Sequence, residues 1–131
     1  MNYRILIGAR SQAKADTAVQ ELRASSSITE DSDVSAVLLD VTDDSSITAA
    51  AKHITNTFGS IDILINNAGI SSGPPEAGTR ENFRAVFETN LFGPAVVIET
   101  FLPLLRASKY HDRRIVNVVR RAKHSSNLNN L

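Results

Sequence analysis

The sequence predicts an α/β fold built on a parallel sheet, and three features lead there. Four short apolar runs, Tyr3–Gly8, Val34–Leu39, Ile61–Asn66 and Ile115–Val119, alternate with stretches whose apolar residues recur at helical spacing. That alternation is the order of βαβ units. Two of the runs lead into small and hydrogen-bonding residues, Leu39-Asp40-Val41-Thr42 and Asn66-Asn67-Ala68-Gly69, and the carboxyl ends of parallel strands are where open α/β sheets bind ligands. The third feature is size: 131 residues, 42% of them hydrophobic, can pack one domain core.

The elements follow in order. Tyr3–Gly8 is a buried strand by pattern, an apolar run closed by a glycine. Ser11 suits a helix N-cap, with Ala15, Ala18, Val19 and Leu22 at helical spacing behind it. Ser25–Asp33 is polar and serine-rich, a surface loop by composition. After the second strand, Val34–Leu39, Thr42 or Asp43 caps a helix whose stripe is Ile47, Ala51, Ile54 and Phe58, and Gly59 ends it. Ile61–Asn66 is the third strand. Residues 71–78 contain two prolines and two glycines and form a flexible connection.

A long helical pattern over 79–107 carries Phe83, Phe87, Asn90, Pro94, Val97, Phe101 and Leu105 on one stripe. Ile115–Val119 is the fourth strand. From Arg120 onward nothing periodic and apolar remains, so 1–119 is expected to form the domain and 120–131 a disordered tail.

Composition narrows the function. The net charge is zero, which leaves no electrostatic case for nucleic acid or an acidic membrane. The local basic group Arg113, Arg114, Arg120, Arg121 and Lys123 is solvated charge at a strand and a polar tail. The chain has no cysteine, which excludes disulfides and thiolate metal sites and suits a reducing compartment. His53, His111 and His124 lack ligand spacing, so no metal is expected. Ile5-Leu6-Ile7 is far too short for a signal segment or a membrane span. The expectation is a soluble cytoplasmic protein.

Four places carry candidate chemistry. Arg10, just past the first strand, can present a planar fork to a phosphate, or be a solvated loop arginine. Asp40 is either a strand-end acid that helps cap the next helix or an acceptor-only carboxylate for a ligand. In Asn66-Asn67-Ala68-Gly69 the small residues permit close backbone approach and the amides can tie strand ends together; the same residues also make ordinary turns. Asn90 is polar on an apolar stripe, four residues before Pro94. Proline has no N–H to offer the Asn90 carbonyl, so that oxygen should be unpaired and the helix locally bent.

Together these segments resemble the short-chain dehydrogenase/reductase family. The likeness covers Tyr3 to Val118 and rests on Gly8-Ala9-Arg10-Ser11, Leu39-Asp40-Val41-Thr42, Asn66-Asn67-Ala68-Gly69, the helix through Leu104-Leu105, and Arg114-Ile115-Val116-Asn117-Val118. It is nearest to the carbonyl-reductase-type members. The resemblance implies a partial doubly wound, Rossmann-like parallel sheet and hydride transfer between a nicotinamide cofactor and a carbonyl or alcohol. It implies that Arg10 faces a 2′-phosphate, favouring NADP over NAD, and that Asp40, beside Val41, accepts from the adenine amino group. Asn67, Ala68 and Gly69 would wall the cofactor, and Asn90 would support catalysis by offering its carbonyl to a relay water.

The sequence also departs from the family. Val119 and Arg120 stand where the family has a serine pair, and no tyrosine follows Arg120. Tyr110 precedes the fourth strand and faces the wrong end for the catalytic acid. No glycine-rich phosphate loop precedes Tyr3. The expectation is therefore a piece of the family's domain, truncated at both ends, lacking the first strand and everything after the fifth, and inactive alone. Because the lost strand is central in the order 3-2-1-4-5, two strand pairs should flank a gap. Two other readings stay open: a non-catalytic module that pairs through the 79–107 helix with a full-length relative, or an unrelated flavodoxin-like domain. The latter needs an acidic pocket or phosphate loop at the first strand's end, which Gly8-Ala9-Arg10 does not supply.

Overall fold

A computed structural model describes residues 3–25 and 32–119. The order is β1 (Arg4–Ala9), α1 (Gln12–Ala24), β2 (Asp33–Leu38), α2 (Asp44–Phe58), β3 (Ile63–Asn66), α3 (Thr79–Phe87), a π-helical turn (Glu88–Phe92), α4 (Gly93–Ala107) and β4 (Arg114–Asn117). The expected tail at 120–131, and most of the expected loop at 25–33, lie outside the described residues.

All the pairing is parallel. β1 lies beside β2 with Arg4 opposite Asp33 and Ala9 opposite Leu38; β3 lies beside β4 with Ile63 opposite Arg114 and Asn66 opposite Asn117. The two pairs are separate two-stranded sheets, so β1 and β3 each keep one edge that no described strand occupies. As expected from the missing central strand, the two pairs do not join into one sheet among the described residues.

Local chemistry explains the helix ends. Ser11 accepts the Lys14 N–H at 3.5 Å. Asp43, rather than Thr42, caps α2: its Oδ1 accepts from Ser45 N at 2.9 Å and from Ser45 Oγ at 2.7 Å. Gly59 ends α2 at φ +78°, a left-handed conformation that glycine adopts without a Cβ penalty. Its N–H donates to the carbonyls of Ile54 and Thr55, both at 3.1 Å.

The core forms where α2 meets α4. Ile47, Ala50, Ala51 and Ile54 pack on Val97, Phe101 and Leu104, with Leu6, Val37, Leu39 and Leu64 of the strands against them. Burying each large aliphatic side chain here stabilises the fold by about 1.5–3 kcal/mol. The period of two along β2 sends buried Val34 to the opposite face from Val37 and Leu39, and α1 packs on that side with Ala15 buried.

Some boundaries differ from the sequence pattern. β3 starts at Ile63 instead of Ile61 because Ile61 N–H donates to Leu104 O at 3.3 Å, which ties that residue to α4. The buried Ser108 hydroxyl donates to Asp62 Oδ1, its Oγ accepts Tyr110 N–H at 3.0 Å, and Arg113 donates to its carbonyl at 2.9 Å. These bonds fasten the end of α4 to the start of β3.

The long helix is also not uniform. Between α3 and α4 it widens into the π turn, where Gly93 N–H donates to Glu88 O, five residues back. A wide turn just before Pro94 accommodates the missing donor that the sequence signals. Phe83 and Phe87, before the turn, are 61% and 51% exposed, whereas Val97 and Phe101, after it, are buried. By length and composition Thr79–Ala107 could cross a membrane; its α4 half instead packs on α2.

Candidate functional site

The carboxyl ends of β1 and β2 hold the first group of candidate residues. The ladder continues one residue past β2, with Leu39 N–H donating to Ala9 O at 2.9 Å, so Arg10 and Asp40 leave the sheet side by side. Arg10 is exposed and makes no ion pair among the described residues. Asp40 is folded into its own turn. Its Oδ1 accepts from Thr42 N at 2.9 Å and from Thr42 Oγ1 at 2.7 Å, while its N–H donates to Ser46 Oγ at 2.9 Å. Thr42's two donors hold the Asp40 carboxyl below its ordinary value, and the positive charge of Arg10 adds a smaller pull in the same direction. Asp40 is thus an ionised acceptor with one oxygen engaged locally.

The second group sits at the end of β3. Asn66 Nδ2 donates to Asn117 Oδ1 at 2.9 Å, tying the ends of β3 and β4. Asn67, Ala68 and Gly69 then run exposed, with their backbone open to a ligand. The segment is held from a distance. Asn90 Oδ1 accepts Ile70 N–H at 2.9 Å, and Asn90 Nδ2 donates to Ile70 O at 2.8 Å. A side-chain amide here satisfies both backbone groups of one loop residue. Gly69 lies close by: a Cβ there would stand 3.3 Å from Asn90 Oδ1.

One short piece of helix contacts both groups. Asn90, in the π turn, grips the β3 loop, and Gly93, at the turn's end, presses on the β2 end. A Cβ on Gly93 would fall 2.5 Å from the Val41 carbonyl oxygen, so only glycine permits this approach. Arg10, Asp40 and Val41 therefore share one strand end, and Asn67–Gly69 share the other. Residues 88–93 join them where no described strand does. Of two surface hollows of about 330 Å³, one is lined by Phe83, Phe87 and Phe92 and the other by Leu102, Leu105 and Ile115; neither includes the candidate residues, which line an open strand-end margin. Among the described residues no group of three or more His, Asp or Glu could hold a metal ion.

The sequence pattern alone does not single out Gly93 or Asn117. Gly93 had a signal, since a glycine inside a helical pattern often marks a close approach. Asn117 is a lone polar residue in a strand, and its partner becomes visible only with the β3–β4 register.

A family model for short chain dehydrogenases matches residues 1–129. The chain belongs to the short-chain dehydrogenase family. Among its relatives, the short-chain dehydrogenase anuI of Penicillium roqueforti is 59% identical over 117 residues, covering 88% of this chain and 45% of that protein. The short-chain dehydrogenase/reductase tropE of Talaromyces stipitatus is 33% identical, covering 87% of this chain and 42% of its own length. The chain thus spans less than half the length of these relatives. Among solved structures, the NADP active-site complex of Pseudomonas aeruginosa RhlG superposes with a TM-score of 0.70 at 29% identity, covering 87% of this chain and 43% of that one. An NAD+-bound xylitol dehydrogenase shares the fold at the same TM-score, 0.70, and 22% identity.

Proposed function

We propose that the described residues form the adenosine-side wall of a nicotinamide nucleotide site, with NADP preferred over NAD. The observation that carries this reading is the joint placement of two strand ends by residues 88–93: ionised Asp40 and Val41 beside Arg10 on one side, the exposed Asn67–Gly69 backbone on the other. Asp40 keeps an oxygen for an adenine amino group, and the Arg10 guanidinium suits a 2′-phosphate. When bound, the nicotinamide would supply or accept the hydride in exchange with a small carbonyl or alcohol. The part of this chain is to bind and orient the other half of the cofactor. Asn90 has a supporting role, because it positions the loop that carries Gly69. A polypeptide of these 131 residues is proposed to be inactive alone, since its sequence has no tyrosine after Arg120 and no serine pair at Val119 and Arg120. A cytoplasmic setting is proposed with it, as a chain without cysteine suits a reducing compartment.

Titration calorimetry of the 131-residue chain with NADP and with NAD tests the reading. Weak binding that favours NADP, and loses that preference in Arg10→Ala, is expected. Tight binding of NAD that ignores Arg10 would falsify it. With NADPH and a panel of aldehydes and ketones, no absorbance change above the blank is expected.

A second reading has its own support. Phe83, Phe87, Leu91 and Phe92 are each more than half exposed along the 79–107 helix, beside Arg80, Arg84 and Glu88. Such an apolar face suits pairing with a second copy or a longer relative. Light scattering of the parent and of Phe87→Glu tests it: a dimer that the charge abolishes supports the pairing role, and a monomer in both removes it.

A further inference from the structure

Residues 70–77 lead from the Gly69 loop to α3 and lie back along that helix as a strap fastened at two places. At Ile70 both backbone groups are bonded to the Asn90 amide, at 2.9 and 2.8 Å, so both polar atoms of that amide are used. At Ala77 the hold is thinner. Asn82 Nδ2 donates to Ala77 O at 2.8 Å, but Asn82 Oδ1, also buried, accepts from no donor among the described residues. Gly73 closes over that oxygen: a Cβ there would stand 2.8 Å from Asn82 Oδ1 and 3.1 Å from both Asn82 Cα and Ala85 Cβ.

Little else holds the strap beyond Ile70. Ser71, Ser72, Pro74, Pro75 and Glu76 are exposed, and only Gly73 and Ala77 are half-buried. A segment with so few buried contacts belongs to the low-stability end of a fold. Lifting it breaks the Asn82–Ala77 bond but returns to water an acceptor that docking leaves dry, and a buried unsatisfied group costs more than one hydrogen bond contributes. Both ends permit the movement: Ile70 stays fixed by Asn90, and Gly78 has nothing within 4 Å of its Cβ position. The strap also carries unused donors. The N–H groups of Ser71, Ser72 and Gly73, and both serine hydroxyls, make no hydrogen bond among the described residues. They begin two residues beyond Gly69, beside the exposed Asn67–Gly69 backbone.

We propose that residues 71–77 are a lid that Asn82 holds open on α3, and that it closes over a nicotinamide nucleotide through the free donors of Ser71, Ser72 and Gly73. Asn82 is then a positioning residue for the open form. The lid rests on the nucleotide reading given above. Successive backbone N–H groups and hydroxyls suit phosphate oxygens, so the closed lid gains contacts that the open one lacks. That difference is what lets a nucleotide shift the balance, and closure covers the strand-end margin that stands open in the structure. A ligand that must first release the lid binds more weakly by the cost of release. A substitution that weakens docking removes that cost and tightens binding. A residue that only stabilised the fold would show no such gain.

Two substitutions loosen the docking by different means. Gly73→Ala places a Cβ against Asn82 and Ala85, and Asn82→Asp replaces the donor to Ala77 O with a carboxylate that repels it. Titration calorimetry with NADP should show the variants binding about threefold tighter than the parent, or more, with the preference over NAD kept. In the parent, the Asn82 side-chain amide protons should be protected from exchange without nucleotide and lose that protection at saturating NADP, while the Ile70 amide stays slow. If one variant does not fold, the other decides. The proposal is overturned if NADP leaves the Asn82 amide protected, or if neither folded variant binds NADP more tightly than the parent. A parent that binds no NADP at all overturns the nucleotide reading and the lid together. NADP binding that depends on Arg10 while Asn82 stays docked overturns the lid alone.

Discussion

The two strand ends that make up the candidate site are held by different means. At the β2 end, Asp40 closes on Thr42 two residues away and its N–H on Ser46 six residues away, so the turn is nearly self-contained. At the β3 end, the loop through Gly69 and Ile70 depends on Asn90, twenty residues on. One half is specified locally, and the other waits for a helix to arrive. Gly93 then ties the helix to the first half, so the remote element sets the spacing between the two.

The largest way to break this arrangement is Gly93→Ala. A Cβ at 2.5 Å from the Val41 oxygen meets backbone, which cannot rotate aside, and a cost of about 3 kcal/mol is expected, at the upper end for overpacking. Chemical denaturation should show it, with exchange accelerating at both strand ends. Asn90→Ala separates the halves. Losing its two bonds to Ile70 should cost about 1–2 kcal/mol, and the Ile70 amide should exchange faster while Thr42 is unchanged.

The Asp40 turn can be loosened through pH. Thr42 and Ser45 hold the carboxyls of Asp40 and Asp43 below their ordinary 3.8. The unfolded chain binds protons more readily, so this stability is fully present above 3.8 and is lost as pH falls through the lower folded values. Melting temperatures measured down the acid limb should therefore fall less steeply in Asp40→Asn, whose neutral-pH loss is about 1 kcal/mol. The smallest effect is expected from Pro94→Ala. An interior proline costs roughly 3 kcal/mol in a regular helix, but here the π turn already absorbs the misfit, so a change under about 1 kcal/mol is expected by thermal melting.

What was legible in the sequence follows the same division. The Ser11 cap and the Gly59 stop could be read because caps are short-range, whereas the parallel β1–β2 and β3–β4 pairs followed from the strand order that the family resemblance implies. The separation of the pairs was legible through the same resemblance. Strand ends slipped by one or two residues where remote contacts intervened, as with Ile61 and Leu104. Thr42 and Asp43 were equivalent candidates for the cap of α2, and only geometry separates them. The roles of Gly93 and Asn117, and of the Asn90 side chain, depend on residues far along the chain, and no local pattern encodes such distances. Pro94 announced a disturbance in the helix but not its form.

That form has a consequence for helical phase. In an α-helix each residue advances about 100°, and at that pitch Phe83, Phe87, Val97 and Phe101 would share one stripe. A π turn takes in one extra residue, which shifts everything after it by roughly one such step relative to what came before. The single stripe of the sequence becomes two faces, Val97 and Phe101 turned inward and Phe83 and Phe87 turned out. Deleting one residue within 88–92 would bring the two back into phase, draw the aromatics toward the core side and rotate Asn90 away from Ile70. One residue of helical phase thus separates a chain with a supported loop and an exposed aromatic face from one with neither.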